Sequence, residues 1–114
     1  MIPCGVEKLG VRVYYDFDEA LRGVQVIMML RLQLERQGIA LFPTIREYAR
    51  LYGLTSERVK LAEPGTIVMH PGPINRGVEI DPEVADSLSS VILEQVANGV
   101  AVRMGILYLL SGSN

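Results

Sequence analysis

Val24-Gln25-Val26-Ile27-Met28-Met29-Leu30, running directly into Arg31-Leu32-Gln33-Leu34-Glu35-Arg36, is the stretch that decides the fold. The first seven positions are apolar at nearly every step instead of alternate ones, which suits a parallel strand covered on both faces. The change at Arg31 is abrupt. Arg31, Gln33 and Glu35 fall on alternate positions, so in extended backbone their side chains point the same way.

Outward from this strand the chain alternates. Val11-Arg12-Val13-Tyr14-Tyr15 is β-branched and aromatic and predicts an earlier strand, and Thr66-Ile67-Val68-Met69 predicts a later one. Asp16 with Glu19 forms a capping-box pattern for a helix over about 17–22, which Gly23 stops. Thr44 with Glu47 does the same for a helix reaching about Tyr52 and closed by Gly53. Thr55 or Ser56 caps a short helix ended by Pro64-Gly65, and Asp81-Pro82-Glu83 reads as an N-cap with proline at the first helical position. This order predicts an α/β fold, a Rossmann-like parallel sheet flanked by helices.

The final segment, Val91 to Leu110, has about the length of a membrane span, but Glu94, Gln95, Asn98 and Arg103 interrupt it, and no span is predicted. Leu93, Val96, Ala97, Val100, Met104 and Leu107 follow helical spacing, while Val102, Ile106 and Leu110 lie off that stripe. The expectation is a long apolar C-terminal helix that needs cover on more than one side.

With 114 residues, 49% hydrophobic and 21% charged, and a net charge of −2, the chain has room for one small domain. Without a Lys/Arg run it shows no footprint for nucleic acid or for an anionic membrane. A lone cysteine, Cys4, excludes a disulfide framework, and one cysteine with one histidine, His70, cannot build a zinc set, so no metal is expected. Met1 to Lys8 lacks the basic segment and apolar core of a secretion signal, which gives a cytoplasmic reading. A mean hydropathy of +0.26 is high for so short a soluble chain, and it implies that the chain either associates with something or is part of something.

In open α/β sheets ligands sit beyond the carboxyl ends of the strands. Two loops of unusual chemistry leave strands there, Arg31 to Arg36 and His70-Pro71-Gly72-Pro73-Ile74-Asn75-Arg76-Gly77. The Arg31 guanidinium offers a planar fork suited to a carboxylate or phosphate, while the plainer reading of the spacing is a structural ion pair with Glu35 or a helix end. Gln33 adds an amide on the same face. In Pro71-Gly72-Pro73 two residues lack backbone donors and Gly72 admits close approach. What such a run presents is carbonyl acceptors, suited to an amine or amide NH2 group, unless the run is an ordinary tight turn. His70 has no nucleophile or carboxylate constellation in sequence reach and reads as an orienting or structural group.

Met29-Leu30-Arg31-Leu32-Gln33-Leu34-Glu35-Arg36, His70 through Ile80, Ala85-Asp86-Ser87 and Gln95 through Met104, in this order, closely resemble the C-terminal portion of the catalytic chain of bacterial aspartate transcarbamoylases (aspartate carbamoyltransferases). The ornithine-specific relatives carry Cys-Leu-Pro after the matching histidine, so Pro71-Gly72-Pro73 points to aspartate as acceptor.

The resemblance implies carbamoyl transfer from carbamoyl phosphate to L-aspartate in pyrimidine biosynthesis, with no cofactor. Arg31 would grip a substrate carboxylate with help from Gln33. The Pro71 and Gly72 carbonyls would lie near the attacking amine and the carbamoyl NH2, with a cis peptide entering Pro73. It further implies that residues 1–114 are a single partial aspartate-binding domain, an incomplete domain whose helix at about 90–110 packs on an absent carbamoyl-phosphate domain. The family's phosphate-binding Ser-Thr-Arg-Thr loop, its oxyanion-binding Arg and His and its borrowed Lys belong to that absent half, so no catalytic set is complete here. Its partners would be a homo-oligomer, a trimer in the family, or a complementary N-terminal half. Alone, the chain is expected to be inactive and to self-associate or fold only in part. The alternative is a non-catalytic dicarboxylate-binding or scaffolding module related to transcarbamoylases.

Overall fold

The computed structural model describes residues 2–33 and 44–112. Strands β1 (Val26–Met28) and β2 (Ile67–Met69) pair in parallel, with Val26 opposite Ile67, Ile27 opposite Val68 and Met28 opposite Met69. Between them lie α2 (Ile45–Tyr52) and α3 (Ser56–Val59). Helix α1 (Phe17–Leu21) precedes β1, while α4 (Pro82–Ala85) and α5 (Ile92–Leu110) follow β2. A short 3-10 turn occupies Val6–Leu9. The far edge of β2 is also used: the Val68 N–H donates to the Ser89 carbonyl at 2.8 Å, and the Val68 carbonyl accepts from the Val91 N–H at 3.0 Å.

The helix starts follow local side-chain chemistry. Asp16 accepts from the N–H groups of Asp18 and Glu19, Thr44 from Glu47, and Thr55 from Arg58, each supplying an acceptor to the orphan donors of a first turn. At α4, Pro82 occupies the first turn as expected, but the Asp81 side chain makes no capping bond. Gly23, at φ 71°, ends α1 in the left-handed region that favours glycine. Gly53 closes α2 for another reason. Its φ is −68°, and a Cβ there would lie 2.5 Å from the Ala49 carbonyl oxygen and 2.9 Å from that of Val78. Close backbone approach, not a left-handed turn, requires glycine at this position.

Two expectations need correction. Val11 to Tyr15 forms no strand and stays outside the sheet, with Val11, Tyr14 and Tyr15 exposed. β-propensity reports fit to a half-buried pleated surface, and among the described residues no neighbouring strand provides one. The run Val24–Leu30 forms its strand but is not covered on both faces: Ile27 and Met29 are buried, while Val26 (50%), Met28 (49%) and Leu30 (66%) are exposed. Among the described residues the buried set turns one way, toward the face that carries the core.

On that face Leu21, Ile27, Met29, Leu54, Val68, Ile80, Val84 and Ile92 form the core. Burial of each such side chain is worth about 1.5–3 kcal/mol. Helix α5 joins this core through Ile92 and then leaves it; residues 100–110 are exposed throughout, Leu109 and Leu110 to about 80%. The helix is long, with its apolar side chains in solvent, yet among the described residues no helix is long and apolar enough to cross a membrane.

Candidate functional site at the carboxyl end of the sheet

Both strands end at the same edge of the molecule, and the chains leaving them stay together. The Met29 N–H donates to the Met69 carbonyl at 2.9 Å, one step past the ladder. Further on, the Asn75 side-chain amide donates to the Leu32 carbonyl at 3.0 Å. Arg31 and Gln33 flank that carbonyl, Arg31 half-buried and Gln33 exposed. Leu34, Glu35 and Arg36, the rest of the first loop, lie outside the described residues.

In the second loop Gly72 has φ 68°, and the Gly72-Pro73 peptide is cis. The Gly72 N–H donates to His70 Nδ1 at 2.9 Å. Among the described residues the Pro71 and Gly72 carbonyls accept no hydrogen bond. This segment therefore presents acceptors without donors, an arrangement complementary to an amine or an amide NH2 group.

His70 is fully buried. Its backbone N–H donates to Gln95 Oε1 at 2.8 Å, and the Gln95 amide nitrogen lies 3.6 Å from Met28 Sδ, so one α5 side chain touches the ends of both strands. An imidazole nitrogen that accepts a backbone N–H carries no proton, so a neutral His70 holds its proton on Nε2. That atom lies 3.3 Å from Oε1 of Glu79, itself fully buried. Both nitrogens of His70 thus face groups of its own chain.

Glu79 Oε1 also accepts the Asn75 N–H at 2.6 Å. Burial, followed by the Glu79 charge and then Tyr52, raises the pKa of the Tyr48 hydroxyl above its ordinary value. Asn75, Glu79 and Gln95 stand within the motifs quoted above, but the sequence reading assigned them no role. The available signal was a carboxylate set between Val78 and Ile80, in a segment otherwise destined for the core.

A parallel α/β sheet with a cationic fork on one strand-end loop and bare carbonyls on the next has these groups where open α/β domains hold ligands, beyond the carboxyl ends of the strands. The family model described as "Aspartate/ornithine carbamoyltransferase, Asp/Orn binding domain" matches residues 6–110. The chain belongs to this family. It is 64% identical over 112 residues to the aspartate carbamoyltransferase catalytic subunit of Moorella thermoacetica and 61% identical over 112 residues to that of Pelotomaculum thermopropionicum, in each case across 98% of this chain and 36% of the relative. The chain thus spans about a third of the length of the curated relatives it matches.

Solved structures agree. The ornithine carbamoyltransferase of Pyrococcus furiosus superposes with a TM-score of 0.74 at 27% identity, over 87% of this chain and 32% of that one. The aspartate transcarbamoylase of Trypanosoma cruzi, solved with carbamoyl aspartate and phosphate, gives 0.66 at 30% identity, over 80% of this chain and 27% of that one.

Proposed function

We propose that this chain supplies the aspartate-side wall of an aspartate carbamoyltransferase active site, within a cytoplasmic, oligomeric enzyme of pyrimidine biosynthesis. The observation that carries the reading is the Asn75-to-Leu32 hydrogen bond, which joins the Arg31/Gln33 loop to the loop of bare carbonyls. Arg31 and Gln33 bind a carboxylate of L-aspartate, the guanidinium through paired hydrogen bonds. The carbonyls of Pro71 and Gly72 face the aspartate amine and the carbamoyl NH2, with Pro73 fixing the turn.

In the reaction the amine lone pair attacks the carbamoyl carbon. A C–N bond forms, the bond from that carbon to the phosphate oxygen breaks, phosphate leaves with the electron pair, and the nitrogen sheds a proton. Positive charge grows on nitrogen during attack. Carbonyl dipoles already aimed at it stabilise that charge without reorganising, and holding both substrates in contact lowers the barrier further. Binding the departing phosphate is a separate role. That role falls to a carbamoyl-phosphate domain, and the exposed apolar side chains of α5 are the surface that packs on it.

The test is complementation. The N-terminal remainder of the Moorella thermoacetica relative is expressed with this chain, or fused ahead of it, and carbamoyl-aspartate formation is assayed with wild type and Arg31→Ala. Activity lost in Arg31→Ala supports the reading. An assembly that folds, binds a dicarboxylate and forms no product favours a non-catalytic binding module.

A further inference from the structure

Asn75 is engaged at three points. Its backbone N–H is held by the buried Glu79 carboxylate, its carbonyl accepts the Val78 N–H at 3.1 Å, and its side-chain amide reaches the Leu32 carbonyl in the other loop. The turn is further tied by the Gly77 N–H donating to the Ile80 carbonyl at 2.8 Å. A side chain rooted in this way donates from a fixed place, with little rotamer freedom left to lose.

The Leu32 carbonyl belongs to the peptide plane between Leu32 and Gln33, and in extended backbone the residues on either side of Leu32 project together to one face. Holding the Leu32 carbonyl restricts the backbone between Arg31 and Gln33, and with it the directions from which those two side chains leave the chain. The Glu79 carboxylate that holds Asn75 also faces His70, which in turn holds Gly72. A single buried carboxylate thus references both loops.

We infer that Asn75 is a positioning residue for the acceptor substrate: through the Leu32 carbonyl it sets Arg31 and Gln33 relative to the Pro71 and Gly72 carbonyls, and so governs the affinity for aspartate but not for carbamoyl phosphate. The inference rests on the functional reading above. A residue acting only on global stability would weaken both substrates together, whereas this one separates them.

The test uses Asn75→Ala and the near-isosteric Asn75→Asp, which keeps the side-chain shape and removes the donor. In the 114-residue chain, 15N order parameters of Leu32 and Gln33 should fall in both variants while those of Ile27 and Val68 stay at wild-type values. In the fused chain the KM for aspartate should rise about 3- to 10-fold, the range of one lost hydrogen bond, with kcat and the KM for carbamoyl phosphate within about twofold. Unchanged order parameters at Leu32 and Gln33 overturn the inference, as does an unchanged aspartate KM or a parallel rise in both KM values. A wild-type fused chain that makes no carbamoyl aspartate overturns the functional reading itself, and the order parameters still decide whether the clamp exists.

Discussion

His70 Nδ1 accepts the N–H of Gly72 at 2.9 Å, and Gly72 is the sole residue of Pro71-Gly72-Pro73 that has a backbone N–H to give. The donor is occupied inside the protein, so the segment can offer a ligand only its carbonyls. Proline removes two donors covalently, and a buried imidazole removes the third by hydrogen bonding.

His70→Ala should therefore cost twice, through the volume lost at a fully buried site and through a Gly72 donor left without its acceptor. The expected destabilisation is about 2–4 kcal/mol by chemical denaturation. A loss below about 1 kcal/mol would show that the imidazole does not hold the loop.

Gly53→Ala tests the close approach at the end of α2. The new Cβ meets two backbone carbonyl oxygens, neither of which can swing aside as a side chain would. The expected destabilisation is about 2 kcal/mol or more, read from urea midpoints, although alanine is the better helix former. A neutral outcome would mean that α2 and the Val78 segment separate freely.

Arg58 fastens three helices. Its Nε donates to Asp18 at 2.7 Å, its terminal nitrogens donate to the carbonyls of Gly53 at 2.7 Å and Leu51 at 3.1 Å, and its guanidinium lies 5.3 Å from the Phe17 ring centre. Arg58→Ala should lose about 2–4 kcal/mol, since the side chain is only 17% exposed and two helix-end carbonyls lose their donors. Arg58→Lys should recover little of this, because one ammonium cannot reproduce the fork. Differential scanning calorimetry on both variants distinguishes fork from charge.

Arg76 and Asp86 form a paired bridge at 2.7 and 2.8 Å on the surface, and the hydrogen bond from Arg76 holds the Asp86 carboxyl below its ordinary pKa. A lowered folded-state value means that the contribution is present above the unfolded carboxylate range and is lost as pH falls through the folded value. Asp86→Asn should thus melt slightly below wild type at neutral pH, and the gap should close on acidification below the carboxylate range. High salt should narrow it as well. A gap that persists in acid would assign the effect to something other than this pair.

Arg31→Lys in the complemented enzyme keeps the charge and loses the paired fork. Aspartate binding should weaken by about 1.5–3 kcal/mol, the worth of a charged hydrogen bond, measured as a rise in KM for aspartate. Unchanged affinity would remove Arg31 from the site.

The features legible in the sequence were those set within a few residues. The caps at Asp16, Thr44 and Thr55 are such features, because a hydroxyl or carboxylate reaches the N–H two or three positions on whatever the remainder of the chain does. The strands at Val26–Met28 and Ile67–Met69 and the loops leaving them were equally readable from apolar runs that end in abrupt polarity. Val11 to Tyr15 looked no different locally, but a strand needs a neighbour, and only the tertiary structure shows that none of the described residues forms one beside it. Which face of β1 is covered, why Gly53 must be glycine, and how Asn75, held by Glu79, ties two loops together were decided by tertiary structure. Each depends on atoms distant along the chain meeting within hydrogen-bond or van der Waals range, and no periodicity or spacing encodes that distance.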